Sequence, residues 1–312
     1  MISLSRNYSI ESNSHLAELN VMSYYSATQL DVKGIVQICH GMAEHLERYE
    51  EFIDFLTSSG YVVFIHDHLG HGKSVKNDGE LGYFGEKDGY KTLVNDVKLV
   101  TDLAKDKYPE LPVFLFGHSM GSFIARYYTE LYSAGIKGAV FCGTAGPNPG
   151  AKVGVMLANL IIKQKGSHYR SKLIDKIAFG SYNKRCRPQR TPFDWLTTDN
   201  AIVDKYIEDK YCGFLFTAAG YRDLFNLLIT VNRPEWFTSF NNDFPVLLIA
   251  GEDDPVGSYG AGVKKVYDSL VSAGHTNVEM KLYPGDRHEI LNESDKKDVF
   301  ADVLKWLEKT NK

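Results

Sequence analysis

Val113 to Gly121 reads VFLFGHSMG, four apolar residues followed at once by Gly117-His118-Ser119-Met120-Gly121. A short, wholly apolar run is what a strand buried on both faces needs, and Met120 to Tyr132 behind it reads as a helix. A serine between glycines at such a junction sits on a sharp turn. The glycines let neighbouring backbones approach closely, and the turn leaves the hydroxyl accessible. The N-terminus of the helix adds partial positive charge where an oxyanion would develop. The stretch is therefore a nucleophile elbow with Ser119 as the attacking group, rather than a glycine-rich turn carrying an incidental serine.

Working outward, Gly34 to Cys39 (GIVQIC) and Tyr61 to His66 (YVVFIH) are further strands, separated by a helix over Tyr49 to Ser58 that Gly60 stops. Lys91 to Lys107 has apolar residues at helical spacing and ends before Pro109; Gly138 to Cys142 is again a strand. Strand and helix in alternation predict an α/β fold, a mostly parallel sheet with helices on both faces. From Pro147 to Asn232 the strand signal gives way to helical, aromatic and basic segments, and Val246 to Ala250 (VLLIA) and Val278 to Tyr283 (VEMKLY) then restore it. Asp295 to Leu307 is an amphipathic helix suited to covering the sheet. The expected organisation is a core of residues 1–146 and 232–312 with a helical cap or lid, 147–231, inserted in it.

The composition agrees with a folded chain that can bury a large core: 312 residues, 44% hydrophobic and 24% charged. With 35 basic against 39 acidic residues the net charge is −4, which lacks the basic field that nucleic acid requires. Cys39, Cys142, Cys186 and Cys212 lie far apart without a CxxC, so they read as buried thiols of a reducing compartment. Met1 to Asn20 has no apolar signal-peptide core, and no run approaches a membrane span. A cytoplasmic protein is expected.

A serine hydroxyl needs a base, and the base an orienting carboxylate. Behind an elbow of this type, acid and then base follow on loops beyond later strands. Two loops qualify: Gly251-Glu252-Asp253-Asp254-Pro255 after VLLIA, and Pro284-Gly285-Asp286-Arg287-His288 after VEMKLY. His288 is the expected base. His275, the other late histidine, falls between a helix and a strand at the opposite edge. Asp254 is the expected acid in preference to Asp253, either of which could instead cap the helix that follows. The oxyanion donors should be the backbone N–H of Met120 and of Met42, in the loop His40 to His45 (HGMAEH). His40, Glu44, His45 and His118 are expected to support these loops, and Glu289 to be structural. His66-Asp67-His68-Leu69-Gly70-His71 superficially matches a metallo-hydrolase pattern, but Gly70 stands where an acid is wanted. It reads as a loop packed beneath the site, and no metal or organic cofactor is expected.

HGMAEHLERY (40–49), HDHLGHGKS (66–74), GHSMGS (117–122), GEDDP (251–255) and RHEILNE (287–293) together resemble the monoacylglycerol lipase and lysophospholipase branch of the α/β-hydrolases, often grouped with serine aminopeptidases. The blocks keep their order over nearly the whole chain outside the inserted middle. The resemblance implies hydrolysis of a lipid-like carboxylic ester, with Ser119, Asp254 and His288 as triad and Met42 and Met120 at the oxyanion hole. Two alternatives stay open: an aminopeptidase-like amidase, for which Glu208 or Asp209 could hold a free amine, and a catalytically silent binding protein.

Between Ala151 and Arg190 there are ten basic residues and one acid, Asp175, a local charge of +9. Beside them Val153 to Ile162 (VGVMLANLII) is apolar nearly all round, too short to span a bilayer but suited to its interface. A cap that docks peripherally on anionic lipid surfaces is one expectation, and a cap that packs its apolar face on the core is the other. Trp195, Tyr206, Tyr211, Phe214, Phe216 and Tyr221 could line an apolar pocket.

Overall fold

A computed structural model describes residues 3–27 and 31–312. Its sheet has eight strands in the order β1-β2-β4-β3-β5-β6-β7-β8. The five central strands, β3 (Gly34–Cys39), β4 (Tyr61–His66), β5 (Val113–His118), β6 (Gly138–Cys142) and β7 (Val246–Gly251), are buried along their whole length. Helices cover both faces of a parallel sheet, so such strands read as continuous apolar runs. β8 (Val278–Tyr283) is half-buried at the far edge. All these pairings are parallel.

The sequence pattern did not announce β1 (Ser3–Glu11) and β2 (Glu18–Ser26), an antiparallel hairpin that joins the sheet through β4. Most of β1 faces water on both sides, so its composition (SLSRNYSIE) carries little apolar alternation. Elsewhere the expected strands lie within two residues of the observed ones, and α2 (Gly89–Lys107) and α9 (Lys296–Thr310) each differ from expectation by a few residues at their ends.

Two hydrophobic cores flank the sheet. On one face α2, α3 (Met120–Tyr132) and α8 (Ala261–Ser272) contribute Leu93, Val97, Ile124 and Val263. On the other, α1 (Glu50–Ser58) and α9 contribute Phe52, Leu56, Val303 and Trp306. Strand order reverses at β3, which lies between β4 and β5. Connections leave β3 and β5 toward opposite faces there, and the crevice beyond their carboxyl ends is where a ligand fits in open α/β sheets.

Between β6 and β7 the chain forms α4 (Gly150–Lys165), α5 (Lys172–Phe179), α6 (Asn200–Glu208) and α7 (Ala218–Thr230). α4 lies tightly on α7: a Cβ at Gly154 would fall 2.6 Å from the Phe225 ring. Both ends of this segment meet at one buried cation. Arg126 donates to Ala145 O at 2.9 Å on the entering chain and to Val231 O on the leaving chain, with its guanidinium stacked 4.3 Å from the Trp236 ring centroid. Burial lowers its pKa to about 9.

Candidate active site

Ser119 has φ +55° and ψ −122°, a conformation forced by the reversal from β5 into α3. The flanking glycines are obligatory, because a Cβ at Gly117 would stand 2.3 Å from Gly121 O and one at Gly121 would stand 2.1 Å from Cys39 O. The turn is tied down by Ser119 N–H to Cys142 O at 2.9 Å and by Ser122 Oγ to Ser119 O at 2.6 Å. Ser119 itself is half-buried and opens into a cavity of about 400 Å³ that Met42, Met120, His288 and the inserted helices also line.

The loop after β7 separates its two aspartates. Asp253 is exposed, whereas Asp254 is fully buried, accepts the Val256 N–H at 2.8 Å and brings Oδ1 to 3.0 Å from His288 Nδ1. These last two atoms approach without the alignment of a straight hydrogen bond, and His288 Nε2 is buried without a hydrogen-bond partner among the described residues. α8, which either aspartate might have capped, starts later and has Gly260 before it. His288 is held from three sides. The Trp195 ring lies 5.2 Å away, His118 Nε2 donates to the His288 carbonyl at 3.2 Å, and Gly143, at φ +59°, leaves room that a Cβ would take from the imidazole at 3.1 Å. His275 is remote from this group and donates from Nε2 to Phe237 O at 2.9 Å.

The loop after β3 approaches Ser119 through Gly41, where a Cβ would lie 3.2 Å from the serine Cβ. Ala43 takes φ +51°, and its carbonyl receives two donors from the inserted segment, Tyr206 OH and Gly213 N–H, each at 3.0 Å. Glu44 accepts from the Gly41 N–H, from Tyr49 OH at 2.8 Å and from Arg48 at 2.5 Å. Arg48 in turn makes a two-pronged pair with Glu289, 2.7 Å on each prong. Burial opposes ionisation of both carboxyls, yet the Arg48 guanidinium between them holds each below its ordinary pKa. His118, with Nδ1 3.5 Å from Glu44, is raised above the usual histidine value even though burial works the other way. One charge cluster therefore joins the β3 loop, the elbow and the residue after His288.

Below it, His40 donates from Nδ1 to Gly41 O at 2.8 Å and accepts the His68 N–H at Nε2, 2.9 Å. His66, His68 and His71 pack around it and are fully buried; burial first, and repulsion from His40 second, depress all three, His66 to about 3. Neutral rings can stack in this way where charged ones could not.

Of the six aromatic residues expected near a pocket, Trp195, Tyr206 and Phe214 line the cavity. Phe216 and Tyr221 are packed in the interior, and Tyr211 stands edge-on to His45 at 6.0 Å. Arg48 escaped the sequence reading, although its spacing of four from Glu44 was the available signal. So did the contact of His45 Nε2 with Asp209 Oδ2 at 2.8 Å, which no local pattern can reveal across 164 residues.

A strand, a serine on a strained turn, a helix, and an aspartate and histidine on the loops after the last two strands define an α/β-hydrolase. The family model described as serine aminopeptidase, S33 matches residues 31–295, and the chain belongs to that family. It is 28% identical to a monoacylglycerol lipase of Mycolicibacterium smegmatis over 89% of each chain. It is also 28% identical to the monoglyceride lipase of Homo sapiens, over 88% of this chain and 82% of that one. Among solved structures, a thermostable carboxyl esterase from Bacillus coagulans in complex with glycerol superposes with a TM-score of 0.92, at 32% identity and 99% coverage of both chains. Among the described residues no helix is long and apolar enough to cross a membrane.

Proposed function

We propose that the chain is a serine esterase of lipid-like carboxylic esters, monoacylglycerols or lysophospholipids. The observation that carries this reading is the apolar cavity, with Phe179, Leu224, Phe225 and Val256 on its walls, opening onto Ser119 and His288 together. Ser119 Oγ attacks the ester carbonyl. His288 Nε2 takes the proton and returns it to the leaving alcohol, and Asp254 stabilises the imidazolium. The Met120 and Met42 N–H groups hold the oxyanion, and water then hydrolyses the acyl-enzyme by the same steps. The lipases and the esterase among the relatives support ester rather than peptide substrates. An aminopeptidase would need a carboxylate free to hold an amine. Glu208 is exposed and outside the cavity lining, Asp209 is engaged by His45 away from the cavity, Glu44 and Glu289 by Arg48, and Asp175 by Tyr221 OH at 2.8 Å.

Residues 147–231 act in this reading as a cap that admits the acyl chain. Val153, Met156 and Leu160 on α4 and Leu173 and Ile177 on α5 are more than half exposed, and Lys152, Lys163, Lys172 and Lys176 stand among them. Ile177 also lines the cavity, so the apolar surface runs into its mouth. Such a surface fits peripheral contact with an anionic lipid aggregate, each nearby basic residue contributing about 1 kcal/mol. The four free, buried cysteines fit a cytoplasmic location.

The test is hydrolysis of p-nitrophenyl esters from acetate to palmitate, of a monoacylglycerol and of an aminoacyl anilide, by the wild type and by Ser119→Ala. Ester turnover that disappears in the variant is expected. Cleavage of the anilide alone would transfer the protein to the peptidases.

A further inference from the structure

A second, solvent-open cavity of about 380 Å³ lies beside the first, between the β3 loop and α6. On its wall His45, Asp209 and Cys212 offer one donor atom each, the nitrogen, the carboxylate oxygen and the sulfur all within 4.8 Å of one another. We propose that these three residues bind one divalent cation of the zinc class, which bridges the β3 loop to the inserted helical segment.

An imidazole, a thiolate and a carboxylate are the donors that zinc selects, and ligand distances of about 2.0–2.3 Å put the donors of a tetrahedral site roughly 3.3–3.7 Å apart. The present spacings, from 2.8 Å between His45 Nε2 and Asp209 Oδ2 up to that 4.8 Å limit, need only a small adjustment to reach this range. The donors are also held in place. Asp209 and Cys212 sit on one turn closed by Cys212 N–H to Asp209 O at 3.0 Å; the Tyr211 N–H occupies Asp209 Oδ1 at 2.8 Å, while Oδ2 accepts from His45 Nε2 at 2.8 Å, a proton that the cation would replace. Support of this kind from outside the ligand set is typical of metal sites. The three residues line an open cavity, from which water can supply a fourth ligand.

The cavity wall supplies an independent argument. Glu44, Glu47, Glu50, Glu51 and Glu289 join Asp209 there, against Arg48 and Lys205 on the wall and Lys73 and Lys296, which pair with Glu47 and Glu51, so six carboxylates meet four cations. An excess of carboxylates around a concave surface concentrates cations.

The metal-free full chain is titrated with Co²⁺ and followed by absorption. Saturation at one equivalent is expected, with a thiolate-to-cobalt charge-transfer band and the strong visible bands of tetrahedral cobalt, both abolished by added Zn²⁺. Cys212→Ser should remove the charge-transfer band. Asp209→Asn, at a partly exposed position that leaves the fold intact by circular dichroism, should weaken affinity at least tenfold. Zn²⁺ at a hundredfold excess over Kd should raise the Tm by about 4 °C. Absence of a thiolate band in the wild type, its persistence in Cys212→Ser, or unchanged affinity in Asp209→Asn would each overturn the proposal.

Discussion

The sheet and the helical segment between β6 and β7 distribute apolar side chains in opposite ways. In the central strands every residue is buried, and the helices beside them turn their apolar faces inward. In α4 only Ala151 and Ala158 are buried, while Met156 is 71% and Val153 65% exposed. The first arrangement maximises the area removed from water on folding, and the second leaves apolar area facing water. Changes in the two regions should therefore register in different measurements.

The largest difference is in chemistry. Ser119→Ala should lower kcat on a dissolved short-chain ester by a factor on the order of 10⁴ to 10⁶. Met156→Ser on α4 should leave the same rate within about twofold, and a large loss there would merge the two regions.

Glycine substitutions give the next contrast. Gly121→Ala drives a Cβ to 2.1 Å from Cys39 O and should cost about 4 kcal/mol or more, measured by denaturant unfolding. Gly166→Ala, at φ +86° and ψ +163° after α4 with open space around it, should cost only the backbone strain of that glycine-favouring region, about 1–3 kcal/mol.

Ion pairs follow a similar order. Arg48→Met strands two buried carboxylates and should cost roughly 3–5 kcal/mol, whereas breaking the exposed Arg190–Asp204 pair of the inserted segment with Arg190→Gln should cost under about 1 kcal/mol.

Acid sharpens the comparison further. His66 is depressed in the folded state, so its contribution is complete above the ordinary histidine pKa of 6.5 and is lost as the pH falls from there toward about 3. In His66→Gln the slope of stability against pH between 6 and 4 should shrink by roughly 1 kcal/mol per pH unit. Asp286, which burial and neighbouring acids push up to about 8, has the opposite sign and leaves that difference untouched.

The smallest stability effect belongs to Met156→Ser with Ile177→Ser. Unfolding should change by less than about 0.5 kcal/mol for each exposed position, while turnover of micellar monoacylglycerol falls several-fold. Equal loss on dissolved and micellar substrate would overturn the proposed docking role of this surface.

What was legible in the sequence follows from where its signals are local. The central strands were readable because burial on both faces demands consecutive apolar residues, and Ser119 because one five-residue turn holds its whole requirement. The hairpin β1–β2 was not: most of β1 is wet on both sides and needs no apolar pattern, and the buried face of β2 is marked by Leu19 and Val21 alone, with the polar Ser23 next in the alternation. Preference for Asp254 over Asp253 rested on position alone, and the physical difference, one buried against His288 and one in water, exists only after folding. Arg48 with its two carboxylates and the link from His45 to Asp209 join residues from distant parts of the chain. The apolar run Val153 to Ile162 within α4 was visible, but the side that the helix turns to water depends on how Gly154 seats against Phe225.

Arg126 has a consequence for how this chain can vary. By gathering Ala145 and Val231 onto a single guanidinium it acts as a drawstring, so the sheet meets the long excursion between them at one knot. Closing a longer or shorter loop changes the entropic cost only logarithmically, about 0.6 kcal/mol per doubling. With the knot kept, the excursion becomes an exchangeable module, and grafting one from a relative with other substrate habits should retune what the serine meets without refolding the scaffold beneath it.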